Sequence, residues 1–94
     1  MKGQLITFRE LTHPGEFQFC DQYGSGEKDV ALVFMCPCGC SEPGALDIRR
    51  PGFVERPSWV WDGNKEAPTL LPSIQRNSNC RWHGFLENGI WRLA

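Results

Sequence analysis

Short alternating runs, interrupted every few residues by proline or glycine, dominate this chain. Glu16-Phe17-Gln18-Phe19-Cys20 alternates polar and apolar, which is the period of a half-buried strand. Phe17 and Phe19 then share one face, and Gln18 and Cys20 the other. Asp29 to Met35 is apolar almost throughout and predicts a central strand covered on both faces. Leu5 to Arg9, Ala45 to Arg49 and Ser58 to Trp61 are further short strands, the last with Trp59 and Trp61 on one face. Pro68 to Ile74 is extended, but each proline removes a ladder donor, so the segment belongs at a sheet edge.

Turns follow from the residues between these runs. His13-Pro14-Gly15 and Asp62 to Lys65 read as turns, and Tyr23 to Lys28 and Arg50 to Pro57 as loops. Asn88-Gly89 lies between Phe85-Leu86-Glu87 and Ile90-Trp91-Arg92. Both turn residues tolerate positive φ, so this is a two-residue hairpin that pairs Glu87 with Ile90, Leu86 with Trp91 and Gly84 with Leu93. That register puts Trp82, Leu86, Trp91 and Leu93 on one core face. The whole pattern predicts an all-β, mostly antiparallel fold with little or no helix, built as a small sheet or sandwich.

Composition narrows this further. Ninety-four residues, 40% hydrophobic and 22% charged, make one globular domain spanning 1–94. A chain of this size hides only roughly 60–65% of its unfolded surface, so its core alone stabilises it weakly. A formal net charge of −1 does not fit a partner held by phosphate contacts, which needs a basic surface. No apolar run reaches transmembrane length, and residues 1–4 lead straight into a strand without a signal-peptide core. Five cysteines without such a signal suit a reducing cytoplasm, where clustered thiols bind metal more often than they form disulfides.

Those cysteines carry the chemistry. Cys36-Pro37-Cys38-Gly39-Cys40 is answered by Cys80-Arg81-Trp82-His83. Thiolates and an imidazole are the preferred donors of a tetrahedral zinc ion. The candidate ligands are Cys36, Cys38, Cys40, Cys80 and His83, one thiol of the first three being surplus to a four-ligand site. Cys36 and Cys38 are favoured, because Gly39 then follows the second ligand with a backbone free to wrap around the metal. Thirty-nine residues separate Cys40 from Cys80. Doubling a closed loop costs only about 0.6 kcal/mol, against metal binding of roughly 10–16 kcal/mol in small zinc peptides.

The remaining candidates weigh less. Cys20 falls outside the metal motif and reads as a free thiol. The tryptophans read first as core packing, with Trp59 and Trp61 the best candidates for a protein-partner surface if one exists. His13 beside Pro14 is a solvated loop residue. Arg49, Arg50 and Arg56 lie among Glu42, Asp47 and Glu55, a mixed solvated surface. No H-E-x-x-H or G-x-S-x-G occurs.

CPCGC at Cys36 to Cys40, W-x-W-x-G at Trp59 to Gly63, P-T-x-x-P-S-I at Pro68 to Ile74, and C-x-x-H leading into the Asn-Gly hairpin at Cys80 to Trp91 occur in that order. Together they resemble a family of small bacterial and phage proteins, a domain of unknown function. The resemblance covers about residues 30–93. It implies a zinc-binding β domain and, for some members, an accessory role near ubiquitin-like conjugation systems. The sequence thus reads as a zinc-stabilised binding or accessory module with a protein partner. A small zinc enzyme with an open metal position is the alternative, and a zinc-ribbon-like nucleic-acid binder the second.

Overall fold

The computed structural model describes residues 1–7, 9–20, 31–49, 59–77 and 80–94. The expected loops at 23–28 and 50–57, and with them Val30, Arg50 and Arg56, lie outside these. The described strands are β1 (Gln4–Leu5), β2 (Glu16–Cys20), β3 (Ala31–Met35), β4 (Pro43–Arg49), β5 (Trp59–Trp61), β6 (Leu70–Leu71), β7 (Ile74–Gln75), β8 (His83–Glu87) and β9 (Ile90–Leu93). No helix occurs among the described residues, so none is long and apolar enough to cross a membrane.

Two sheets form. Strands β1 to β6 make a six-stranded sheet in sequence order, and β7, β8 and β9 a three-stranded one. The pairs β1–β2 and β4–β5 are parallel; the rest are antiparallel. Alternation decides which side chains enter the core. On β4, Leu46 and Ile48 are buried while Ala45 and Asp47 are exposed. On β3, Leu32 and Phe34 are fully buried, but Ala31 and Val33 are only half-buried. That strand is therefore covered more fully on one face than its apolar run suggests.

Aromatic rings join the two sheets. Phe34 of β3 packs against Trp91 of β9 with centroids 5.1 Å apart, and Trp82 meets Trp91 edge-on at 5.8 Å. The buried Trp91 indole needs a partner for its N–H, and donates it to Gly15 O at 2.9 Å. The Asn-Gly hairpin has the expected register, with Asn88 and Gly89 both at positive φ. Leu93, expected on the core face, is 70% exposed. It pairs with Gly84 at the end of the ladder, where the sheet outruns the core. Likewise β1 is shorter than the Leu5 to Arg9 strand expected, though Ile6 N–H still donates to Phe17 O.

The turn before β2 is fixed by a buried carboxylate. Glu16 is 4% exposed and accepts from both terminal nitrogens of Arg9 and from the backbone N–H groups of Thr12 and His13. The Arg9 hydrogen bonds first, then that of Thr12, lower its pKa to about 2. A carboxyl with a folded pKa below its unfolded value stabilises the fold above the unfolded pKa, roughly 4.3. That contribution is lost as pH falls toward 2. Denaturant titrations should therefore show wild type losing more stability than Glu16→Gln between pH 5 and pH 2. Acid release of a thiol-bound metal affects both proteins, so their difference isolates Glu16. Parallel curves would exclude this role.

Candidate metal centre and serine–histidine pair

The loop joining β3 to β4 carries three of the thiols. Cys36 N–H donates to Glu42 O and Gly39 N–H to Cys36 O, each at 3.2 Å, which closes residues 36–42 into a compact turn. Gly39 at φ 91° and Ser41 at φ 65° supply the left-handed steps that let the chain fold back on itself. The fourth thiol arrives from the segment before β8. There Arg81 adopts φ 49°, and Trp82 is anchored in the core.

The ligand atoms of Cys36, Cys38, Cys40 and Cys80 all lie within 4.8 Å of one another. Cys36 Sγ is 3.2 Å from Cys38 Sγ and 3.4 Å from Cys80 Sγ. A tetrahedral ion with metal–sulfur bonds of about 2.3 Å separates its sulfurs by roughly 3.8 Å, within this range. A disulfide needs about 2.05 Å, and none of the four cysteines forms one. The group can therefore hold one metal ion. Cys36 is buried, Cys38 exposed, and Cys40 and Cys80 half-buried.

Without a cation, these thiols resist ionisation. Burial raises the pKa of Cys36, and its hydrogen bonds with the neighbouring thiols add to the rise. For Cys38, the Cys36 hydrogen bond lowers the value, but burial and the Cys40 and Cys80 thiols outweigh it and the net shift is upward. Thiols held this way stay protonated at neutral pH when alone. A divalent ion displaces those protons and stabilises the thiolates, so binding is coupled to proton release.

His83 lies outside the group. Its Nε2 is 3.0 Å from Ser73 Oγ. The structure brings together all three thiols of the CPCGC turn with Cys80, and not the expected pair of thiols with Cys80 and His83. The reason is local. His83 begins β8 opposite Gln75 of β7, and strand alternation sends Trp82 into the core and His83 to the exposed face. Ser73 sits between the two edge strands β6 and β7, half-buried, with its carbonyl accepting from Trp59 Nε1 at 3.2 Å. Among the described residues no carboxylate hydrogen-bonds to His83, so the arrangement is a pair.

Trp61 is 1% exposed and packs on Phe19 with centroids 4.7 Å apart. It belongs to the core, not to a partner surface. Trp59 is half-buried beside Ser73. Cys20 is a free, half-buried thiol outside the metal group. Ser73 was the residue sequence reasoning missed. It lies in the Pro68 to Ile74 segment, which reads as an edge strand, and His83 is claimed by the metal motif.

Residues 6–94 match the model of a family described as bacterial ubiquitination-like system serine protease (BubE). No curated protein and no solved structure matches the chain. The match spans nearly the whole sequence, so the chain belongs to the BubE family.

A four-thiol site predicts distinct outcomes for neighbouring substitutions. Purified protein should carry one metal ion per chain by elemental analysis. Cys80→Ala should lose it and unfold at lower temperature, while His83→Ala should keep it. Loss of metal from His83→Ala would return the imidazole to the ligand set.

Proposed function

We propose that this member of the BubE family is a serine-type peptidase of a bacterial ubiquitination-like system. In this reading Ser73 is the nucleophile and His83 the general base. One zinc ion on Cys36, Cys38, Cys40 and Cys80 holds the frame around them. The observation that carries it is the 3.0 Å contact between Ser73 Oγ and His83 Nε2, the reach a nucleophile–base pair requires. The family description points the same way.

The chemistry uses this chain's own residues. With Nε2 unprotonated, the Ser73 hydroxyl donates to it. Oγ attacks the carbonyl carbon of a peptide or amide bond as its proton passes to Nε2. The imidazolium then protonates the leaving amine, and an acyl group remains on Oγ. Water, deprotonated by the same imidazole, releases the acid and restores the serine. The expected substrates are protein components of the ubiquitination-like system, and the free thiols suit a cytoplasmic setting. The metal has no place in these steps. A four-thiolate ion is coordinatively closed, whereas catalytic zinc keeps an open position.

The metal-stabilised accessory module remains the second reading. What favours it is the exposure of His83, with no described carboxylate to orient it. In that case the Ser73–His83 contact is a surface hydrogen bond between the β6–β7 connection and the start of β8.

A fluorophosphonate probe separates the two. Its phosphorus is attacked by an activated serine oxygen and fluoride leaves. The metal-loaded chain should gain one adduct by intact mass, on Ser73, and Ser73→Ala none. His83→Ala should slow the reaction by roughly 10²-fold or more while keeping its metal. A folded, metal-loaded chain that takes no adduct would leave the module reading.

A further inference from the structure

We infer that the substrate's main chain docks as an added strand on the open edge of β7, held by the backbone N–H and C=O of Gln75. This rests on the Ser73–His83 reading above. The phase of the β7–β8 ladder leaves these groups facing outward. Ile74 pairs with Gly84 and Gln75 with His83, and the same register places Arg76 opposite Trp82. Arg76 N–H donates to Trp82 O at 2.7 Å, so that is a hydrogen-bonded pair. Antiparallel ladders alternate bonded and non-bonded pairs. Gln75–His83 is therefore non-bonded, and the N–H and C=O of Gln75 point away from β8.

The facing strand agrees with this phase. His83 O accepts from Ala94 N–H at 3.0 Å, so it is turned toward β9 and not toward β7. Ser73 is two residues before Gln75 and shares its phase. Trp59 Nε1 donates to Ser73 O at 3.2 Å, so the Ser73 carbonyl is already taken and Gln75 supplies the groups for an added strand. Among the described residues nothing bonds to the N–H or C=O of Gln75. The sheet order leaves β7 at an edge.

An unpaired donor and acceptor on an extended edge are a template for another strand. Their position decides the occupant. Strand residues of one phase recur at about 6.8 Å, so a segment paired at Gln75 brings its main chain past Ser73 Oγ two residues away. Only an extended polypeptide offers a carbonyl and an N–H at that spacing together with a cleavable amide. Gln75 and Leu71, exposed on either side of Ser73, are placed to touch alternate side chains of such a segment. A protein substrate would thus be cut in an extended tail or loop and not within a folded element.

The test scans the substrate, leaving the protein unaltered. A quenched fluorescent peptide, taken as the best cleaved of a random mixture, is remade with single backbone N-methyl groups at each position flanking the cut. Added-strand docking predicts alternation. At positions of one phase, two or three residues from the cut, kcat/KM should fall about tenfold or more, the scale of a lost hydrogen bond plus a methyl clash. Intervening positions should change less than about twofold. A flat profile, or cleavage of no peptide by a chain whose Ser73 accepts the fluorophosphonate, would overturn the docking alone. Failure of Ser73 to take the fluorophosphonate would overturn the peptidase reading and this inference with it.

Discussion

Four thiols gathered within 4.8 Å are the constraint on which the rest of this structure depends. Cys36 is buried and crowded by sulfur on several sides. Thiolates cannot share that space without a cation, because like charges in a partly desolvated site repel. With one ion bound, the turn between β3 and β4 is tied to the segment entering β8. That tie crosses between the two sheets, and it closes the long stretch from Cys40 to Cys80. In a chain this small such a staple supplements a modest core.

The same segment carries the histidine of the serine–histidine pair. Cys80 fixes one end of a four-residue segment, Trp82 sinks into the core against Trp91, and His83 emerges on the opposite face at the start of β8. Ser73 approaches from the other sheet edge, its carbonyl held by Trp59. The account thus separates the two roles that the C-x-x-H motif invites one to merge. Its cysteine joins the thiol group, and its histidine meets the serine. A peptidase of this kind would depend on metal for its shape while using none in its chemistry.

Much of the fold was legible in the residues. The alternation of Glu16 to Cys20 and of Ala45 to Arg49 gives their strands directly. The Asn-Gly dipeptide determines the hairpin register residue by residue, because its turn type permits only one. The cysteines were legible as a cluster. Which of them converge was not, since that depends on how the 36–42 turn curls and on the phase of β8. Period-two alternation separates Trp82 from His83, but the sequence alone does not say where β8 begins. Ser73 was hidden for a related reason. A nucleophile–base pair assembled from the β6–β7 connection and the start of β8 has no local spacing to mark it, unlike a motif carried on one turn. Trp61 shows the converse, since strand alternation places it on a face without saying that Phe19 covers that face.

The central claim is that the metal is bound by sulfur alone, leaving His83 free for Ser73. X-ray absorption at the zinc edge of the metal-loaded chain reads this directly. The account predicts a shell of four sulfur scatterers at about 2.3 Å and no imidazole contribution. Three sulfurs with one nitrogen at about 2.0–2.1 Å and the outer-shell pattern of an imidazole ring would contradict it. The histidine would then be a ligand, one thiol would be surplus, and the pair that carries the proposed chemistry would not exist.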